Sequence, residues 1–276
     1  MIHKQTFTIA GSEGKPILMD LTSAENNEAL VIFVHGFKGF KDWGTHDQVA
    51  KIFAGKGINF LKFNFSHNGT TPESPLDFTD LEAFGNNTFS KELFDLDQVI
   101  TFAEKSKELS GSTGNICLIG HSLGGGISIV QSAEDKRIRK LVTWASVSRF
   151  RNLWMNDVEP IWRKEGVIYV DNIRTGQKMP LKVELLKDLE QNYETLDILS
   201  AAQKVEQPWL IIHGSGDSIV PVEQAQELNR QQSQSKLLII NNADHVFEAK
   251  HPWLENSLPA NLNTVVESTV SFFKQQ

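Results

Sequence analysis

The stretch ICLIGHSLGGG at residues 116–126 decides the fold. Residues 116–119 form a continuous apolar run of the kind found in buried strands, and residues 123–134 carry apolar side chains at helical spacing. Between them, Gly120 and Gly124 lie two positions on either side of Ser122. Side chains at those two positions would crowd a tight strand-to-helix turn. The pattern therefore predicts a strained turn that presents the Ser122 hydroxyl at the end of a strand.

On both sides of residues 116–126, short apolar runs alternate with segments whose apolar residues have helical spacing, which is typical of an α/β fold. The predicted parallel strands are residues 30–34, 58–63, 116–119, 140–143, 209–212 and 236–240. The predicted covering helices are residues 47–55, 90–109, 123–134, 222–231 and 262–274. Residues 4–9 and 16–21 flank a glycine-containing turn and predict an antiparallel hairpin. Because the later strands are apolar throughout, we expect a mostly parallel sheet that is covered on both faces.

One segment interrupts the alternation, since residues 147–205 contain no clear strand of the main sheet. Within it, residues 166–171 and 177–181 flank a five-residue loop and predict a second hairpin, and the remainder has helical character. The chain shows no internal repeat and no linker of low complexity. We therefore predict one domain over residues 1–276 with an inserted cap at 147–205.

Net charge and composition disfavour several classes of binding partner. A formal net charge of −7 disfavours binding to nucleic acid or to an anionic membrane, because both require a clustered positive field. The N-terminus lacks the apolar core of a secretory signal, and no apolar run is long enough to span a bilayer, so a cytoplasmic location is expected. Cys117 is the single cysteine and lies within an apolar run, which indicates a core residue. The sequence indicates no oligomeric state.

Ser122 needs partners, because a serine hydroxyl is almost inert at neutral pH without a histidine base and an acid that orients that base. His245 follows the last predicted strand, and Asp217 follows the strand before it, so both lie at the edge of the sheet where Ser122 lies. His251 is a weaker base candidate because it lies further into a loop. Asp244 directly precedes His245, so its carboxylate is poorly placed to reach that ring. We predict Ser122, Asp217 and His245 as the catalytic residues.

Serine attack on a carbonyl places negative charge on an oxygen atom, which backbone N–H groups can stabilise. The predicted donors are the amides of Leu123, directly after the serine, and of Phe37, in the loop after the first parallel strand; Lys38 is a lesser candidate. Gly36 allows this loop to approach the serine closely. His35 has none of the partner residues of a zinc motif, so it is predicted to brace the loop, and no metal site is expected.

Four motifs together, HGF at residues 35–37, GHSLG at 120–124, HGSGD at 213–217 and DH at 244–245, resemble the α/β-hydrolase superfamily. Among its members, the chain is similar to feruloyl/cinnamoyl esterases, monoacylglycerol-lipase-like hydrolases and serine-aminopeptidase-like hydrolases. The resemblance covers the chain except the cap. It implies an α/β-hydrolase fold and cleavage of a small-molecule ester through an acyl-enzyme intermediate without a cofactor. Two alternatives are an amide hydrolase of the aminopeptidase type and a non-catalytic ligand-binding homologue.

Substrate choice is expected to depend on aromatic side chains in or near the cap. Trp144 ends a strand near the predicted cleft, and Trp154, Trp162 and Tyr169 belong to the inserted segment. These four residues are the candidate substrate contacts. The alternative is that they form packing only, because an insertion must bury apolar surface to remain ordered.

Overall fold

The computed structural model describes residues 1–24, 29–106 and 114–275. Within these ranges the strands are β1 His3–Ala10, β2 Pro16–Ser23, β3 Ala29–Val34, β4 Ile58–Phe63, β5 Ile116–His121, β6 Ile138–Trp144, β7 Val167–Asn172, β8 Gln177–Lys182, β9 Trp209–Gly214 and β10 Lys236–Ile240. The α-helices in the same ranges are α1 His46–Gly55, α2 Leu81–Gly85, α3 Phe89–Lys105, α4 Leu123–Glu134, α5 Glu159–Glu165, α6 Glu184–Gln191, α7 Ile198–Lys204, α8 Glu223–Gln231 and α9 Ala260–Lys274.

The main sheet has eight strands in the order β1-β2-β4-β3-β5-β6-β9-β10. The pairs β1/β2 and β2/β4 are antiparallel, and every other pair in this sheet is parallel. The prediction of an N-terminal hairpin followed by a mostly parallel sheet is therefore confirmed. Parallel strands direct their carboxyl ends to one edge, and this edge holds the loops after β3, β5, β9 and β10.

Both faces of the sheet are covered, as the apolar strands predicted. Consecutive residues of a strand point to opposite faces, and in β3 Ile32 belongs to one core cluster while Phe33 belongs to the other. The first cluster packs the sheet against α3, α4 and α8, and the second packs it against α1 and α9. Cys117 is buried in the second cluster, as expected for a core residue.

Residues between β6 and β9 form α5, the β7-β8 hairpin, α6 and α7. The two strands pair only with each other, in an antiparallel ladder separate from the main sheet. The predicted hairpin is confirmed, but its loop is one residue shorter than expected, because Asn172 pairs with Gln177 and leaves residues 173–176 as the turn. The main-chain carbonyl of Asn172 accepts from the amide of Gly176 at 2.8 Å and closes this turn.

Two further differences from the sequence expectation concern helices. The predicted helix 90–109 appears as α3, and residues 107–109 lie outside the described ranges. Helix α2 was not predicted, because five residues are too few to display helical periodicity. Among the described helices, none combines the length and apolarity that crossing a bilayer requires.

Candidate active site

Ser122 occupies a strained turn between β5 and α4. Its backbone has φ 57° and ψ −120°, a left-handed conformation that non-glycine residues rarely adopt. A Cβ atom at Gly120 would overlap the carbonyl oxygen of Gly124, and one at Gly124 would overlap the carbonyl oxygen of Val34. The structure therefore has the strained turn that the GHSLG stretch predicts, and both glycines are sterically required.

The side chains of Ser122, His245 and Asp217 form one chain of hydrogen bonds. His245 Nε2 lies 3.0 Å from Ser122 Oγ, and His245 Nδ1 lies 2.8 Å from Asp217 Oδ2. A carboxylate accepts only, so Nδ1 carries the proton and Nε2 presents a lone pair to the serine hydroxyl. The imidazole is thus held in the tautomer that can remove the serine proton.

Asp217 is fixed by more than the imidazole. Its Oδ1 accepts from the amides of Ile219 and Val220 at 2.9 and 2.8 Å, and the His213 ring lies 3.3 Å from Oδ2. Burial by itself raises the pKa of Asp217, but the hydrogen bonds from His213 and His245 outweigh it and hold the pKa of this carboxyl well below its ordinary value. The carboxylate is therefore charged at neutral pH, and its Oδ2 accepts the hydrogen bond from His245 Nδ1.

The two rival candidates from the sequence are engaged elsewhere. Asp244 Oδ1 accepts from the amides of Val246 and Glu248 at 3.1 and 2.8 Å, so it organises its own loop. His251 Nδ1 accepts from the amide of Gly44 at 2.8 Å. Neither side chain contacts the serine hydroxyl or the His245 ring.

The loop after β3 approaches Ser122 closely. A Cβ atom at Gly36 would lie 2.9 Å from the Cβ of Ser122, so only glycine fits without displacement. The predicted donor Leu123 directly follows Ser122 and Phe37 lines the same cavity as Ser122, and neither amide donates to another group in the described part of the chain. Both amides are therefore free to bind an oxyanion.

His35 and Lys38 stabilise this loop from two directions. His35 is buried, its Nδ1–H donates to the Gly36 carbonyl at 2.9 Å, and its Nε2 accepts from the Phe65 amide at 3.4 Å, which confirms its predicted bracing role. Lys38 has a left-handed backbone with φ 54°, and its Nζ donates to the Asp171 carbonyl at 2.9 Å. The loop is thereby linked to the end of β7 in the inserted segment.

A cavity of about 160 Å³ opens beside Ser122 and His245. It extends towards the face of the sheet that α1 and α9 cover, since Val49 and Leu262 form part of its wall. Sequence reasoning did not identify two histidines of its lining, His46 and His121. His121 appeared only as the variable position of the GHSLG stretch, and no local pattern marks His46 as a site residue.

The structure places one of the four predicted substrate contacts in the lining of the cavity. Trp144 lines the cavity. Trp162 is fully buried and packs edge-to-face on Trp154 at 5.2 Å, and both rings belong to or pack against the core cluster that contains residues of α3 and α4, so they do not line the cavity. Tyr169 is 61% exposed on β7. The packing alternative therefore describes Trp154 and Trp162, and Tyr169 faces solvent because it lies on the outer side of its hairpin.

Among the described residues, neither a reactive cysteine nor a group of metal-binding side chains accompanies Ser122. Burial raises the pKa of the Cys117 thiol to about 12, so this side chain stays protonated and unreactive at neutral pH. Across residues 1–24, 29–106 and 114–275, no three His, Cys, Asp or Glu side chains are grouped to hold a metal ion.

Comparisons with known proteins agree with this architecture. The profile of the BD-FAE family matches residues 77–232, which is more than half of the chain. No curated protein sequence matches.

Solved structures match over nearly the whole chain. The esterase domain of a Rhodothermus marinus protein is 19% identical with a TM-score of 0.67, covering 98% of this chain and 97% of that one. Est1E from Butyrivibrio proteoclasticus with ferulic acid bound is 21% identical with a TM-score of 0.70, covering 96% and 97%. A puromycin-hydrolyzing peptidase of Mycobacterium tuberculosis is 15% identical with a TM-score of 0.68, covering 98% of this chain and 39% of that one. At these identities the likeness shows the fold, which is that of the α/β-hydrolases.

Proposed function

The chain belongs to the BD-FAE family of esterase-like hydrolases, and from this premise we propose that it is a serine hydrolase that cleaves carboxylic esters of small acyl or aryl groups. The observation that carries the proposal is the hydrogen-bonded chain from Ser122 through His245 to Asp217, with spacings of 3.0 and 2.8 Å. This order of hydroxyl, imidazole and carboxylate is the arrangement that activates a serine as a nucleophile.

In the first half of the proposed reaction, Ser122 Oγ attacks the ester carbonyl carbon while His245 Nε2 accepts the hydroxyl proton. The charge that forms on the carbonyl oxygen is stabilised by the amides of Phe37 and Leu123. His245 then donates its proton to the departing alcohol oxygen as the ester C–O bond breaks. An acyl group remains bound to Ser122.

In the second half, water attacks the acyl carbon and His245 accepts a proton from that water. Collapse of the intermediate breaks the bond to Ser122 Oγ, which recovers the proton from His245 and releases the acid. Asp217 remains ionised throughout and stabilises the imidazolium in both halves. The reaction consumes one water molecule and requires no cofactor.

Residues 147–205 are proposed to act as a cap over this site. The Lys38 ammonium connects the loop after β3 to Asp171 of the cap hairpin. The Arg174 guanidinium lies over the Phe40 ring at 5.6 Å, so the same hairpin also contacts the residues that follow the oxyanion loop. Movement of the hairpin would therefore change the position of the Phe37 amide.

Labelling with a fluorophosphonate tests the proposal, because only an activated serine reacts quickly with this reagent. We expect stoichiometric modification of Ser122, none in a Ser122→Ala variant, and normal labelling in a Ser257→Ala control, whose serine is exposed and distant in sequence. Hydrolysis of matched ester and amide substrates then separates esterase from aminopeptidase activity. Absence of labelling in the folded wild-type protein would instead favour a non-catalytic ligand-binding role.

A further inference from the structure

The loop after β3 carries the proposed oxyanion donor in a turn that is strained at one residue. The Gly39 amide donates to the Gly36 carbonyl at 2.9 Å, which closes a four-residue turn with Phe37 and Lys38 at its centre. The Phe37 amide takes no part in this bond. Lys38 has φ 54°, a left-handed conformation that costs free energy in a residue with a Cβ atom. The direction of the Phe37 amide therefore depends on the contacts that hold this turn.

The end of the turn is bonded to the loop after β4, residues 64–70. Strands β3 and β4 are parallel neighbours, so the loops that follow them leave the same edge of the sheet. Asn64 Oδ1 accepts from the Lys41 amide at 2.6 Å, and Asn68 Nδ2 donates to the Gly39 carbonyl at 3.2 Å. The two asparagines are only 3% and 5% exposed, so water competes little for these hydrogen bonds.

The Thr70 hydroxyl joins the two asparagines. Asn64 Nδ2 donates to Thr70 Oγ1 at 2.8 Å, and Thr70 Oγ1 donates to Asn68 Oδ1 at 2.8 Å. The result is a continuous series of four hydrogen bonds that starts at the Lys41 amide and ends at the Gly39 carbonyl, two residues earlier in the chain. We call these three side chains and their hydrogen bonds the asparagine–threonine series.

Main-chain groups fix the orientation of each side chain in this series. An amide N–H only donates, so the Lys41 amide requires the oxygen of Asn64 and leaves Asn64 Nδ2 for Thr70. The Thr70 amide likewise donates to Asn68 Oδ1 at 3.0 Å and leaves Asn68 Nδ2 for the Gly39 carbonyl. The Thr70 hydroxyl must then accept from Asn64 and donate to Asn68. Reversing any side chain would leave buried polar atoms unpaired, which is unfavourable.

We propose that Asn64, Thr70 and Asn68 are positioning residues for the oxyanion donor, because their hydrogen bonds hold the end of the turn that presents the Phe37 amide. None of the three lines the cavity beside Ser122, so they act through the main chain of the loop and not by contact with substrate. Oxyanion stabilisation requires donors that are fixed before the charge forms. The inference rests on the proposed function, because the direction of this amide affects a rate only where an oxyanion develops.

The alternative is that the asparagine–threonine series only stabilises the fold. Loss of a buried polar network lowers stability under both interpretations, so stability alone cannot separate them. Thr70 is the most suitable position for a test, because valine replaces only the hydroxyl by a methyl group and serine keeps the hydroxyl. In Thr70→Val, Asn64 Nδ2 loses its acceptor, whereas Asn68 keeps the Thr70 amide as a donor. The bond between Asn64 and Lys41 should therefore weaken first.

Ester hydrolysis, the rate of fluorophosphonate labelling of Ser122 and the melting temperature are measured for each variant. We expect Thr70→Val to lower kcat and the labelling rate by about 10- to 100-fold, because misplacement by about 1 Å costs on the order of 100-fold. KM should stay within about twofold, since the amide acts mainly on the transition state. Thr70→Ser should recover most of the loss. Thr8→Val, at an exposed position on the edge strand β1, should match the wild-type protein.

Two NMR measurements report on the turn without turnover. Hydrogen exchange of the Lys41 amide should be faster in Thr70→Val, because its acceptor is less firmly held. The amide signal of Phe37 should shift in the same variant, and Thr70→Ser should restore both properties.

A lower melting temperature in Thr70→Val with wild-type kcat and labelling rate would overturn the positioning role. Equal losses of kcat in Thr70→Val and Thr70→Ser would overturn it too, as would unchanged Lys41 exchange and Phe37 shift in Thr70→Val. If the wild-type protein is neither labelled nor active on esters while both NMR measurements change as expected, the esterase proposal alone is contradicted. Normal hydrolysis by the wild-type protein with an unchanged kcat in Thr70→Val contradicts the positioning role alone.

Discussion

The imidazole of His121 donates from Nε2 to the main-chain carbonyl oxygen of His245, across 2.9 Å. This bond joins the residue directly before the nucleophile to the residue that carries the proposed base. The loop around His245 contains three non-glycine residues with left-handed backbones: Asn242, Phe247 and Glu248, at φ 58°, 55° and 70°. Such residues persist only where the surroundings constrain them, so the loop depends on contacts of this kind. His121 is therefore expected to be a positioning residue for the base.

Replacing His121 by leucine should lower kcat by about 10- to 100-fold with a smaller change in KM, because misplacement of a reacting group by about 1 Å costs on the order of 100-fold in rate. A His121→Gln variant should recover most of this loss, since its amide N–H can donate near the position of Nε2. Steady-state ester hydrolysis and the rate of fluorophosphonate labelling of Ser122 measure both effects.

A purely structural role for His121 would give a different pattern. The leucine variant would then lose thermal stability while its labelling rate and kcat stayed at the wild-type level, and glutamine would give no specific recovery of kcat.

Asp217→Asn tests the tautomer of His245. Asparagine keeps an oxygen that can accept from the amides of Ile219 and Val220, so the loop should remain folded. Its NH₂ group would face His245 Nδ1 and favour the tautomer with the proton on Nε2, which cannot accept the serine proton. We expect kcat to fall by about 10³- to 10⁴-fold, as for the equivalent change in other serine hydrolases. Full activity with an unchanged melting temperature would rule out Asp217 as the residue that orients the base.

Gly36→Ala tests the proximity of the oxyanion loop to the serine. The added methyl group would lie 2.9 Å from the Cβ of Ser122, so the loop must move and carry the Phe37 amide with it. Loss of one oxyanion donor costs about 10²- to 10³-fold in kcat, and we expect a decrease approaching this range.

Gly55→Ala is the matched control for this substitution. A Cβ atom at Gly55 meets nothing within 4 Å, so activity should be retained and stability unchanged or slightly higher. Equal kcat values for Gly36→Ala and Gly55→Ala would mean that the close approach of Gly36 to Ser122 does not position the Phe37 amide as an oxyanion donor.

Local patterns in the sequence were sufficient for the strands and for the loops at their carboxyl ends. Each apolar run corresponds to a strand of the main sheet, and the residues placed after β5, β9 and β10 by this reasoning, Ser122, Asp217 and His245, come together in the structure. This is possible because a parallel sheet brings the carboxyl ends of its strands to one edge. A residue that directly follows a predicted parallel strand is therefore expected at this edge of the sheet.

The residues that line the cavity beside Ser122 could not be predicted from local sequence patterns. His46 begins α1, His121 ends β5 and Leu262 belongs to α9, so they meet only after two helices pack on one face of the sheet. The aromatic residues of the inserted segment illustrate the opposite error. Trp162 is a candidate substrate contact by sequence because it is large and apolar, but the same properties place it at 0% exposure in the core cluster that also contains residues of α3 and α4.

Glu92 should make stability depend on pH. This carboxyl group is buried in α3, where Oε1 accepts from Asn87 Nδ2 at 2.7 Å and Oε2 has no partner among the described residues. Burial, with a smaller contribution from the charge of Asp95, raises the pKa of Glu92 to about 8 from an ordinary value of 4.5. Between these two values the folded protein binds a proton that the unfolded chain does not. The contribution of Glu92 to stability is thus fully present below pH 4.5 and is lost as pH rises through about 8.

The corresponding measurement is urea unfolding of the wild-type protein and a Glu92→Gln variant at pH 5, 6, 7 and 8. A single such group changes the free energy of unfolding by at most about 1.4 kcal/mol per pH unit. We expect the wild-type protein to lose stability relative to Glu92→Gln across this range, with a limiting slope of that size, because glutamine is neutral at every pH. A Glu73→Gln control at an exposed position should run parallel to the wild-type protein. Parallel curves for wild type and Glu92→Gln would mean that Glu92 is ionised in the folded state at neutral pH, and that its burial is relieved by water or by local movement of α3.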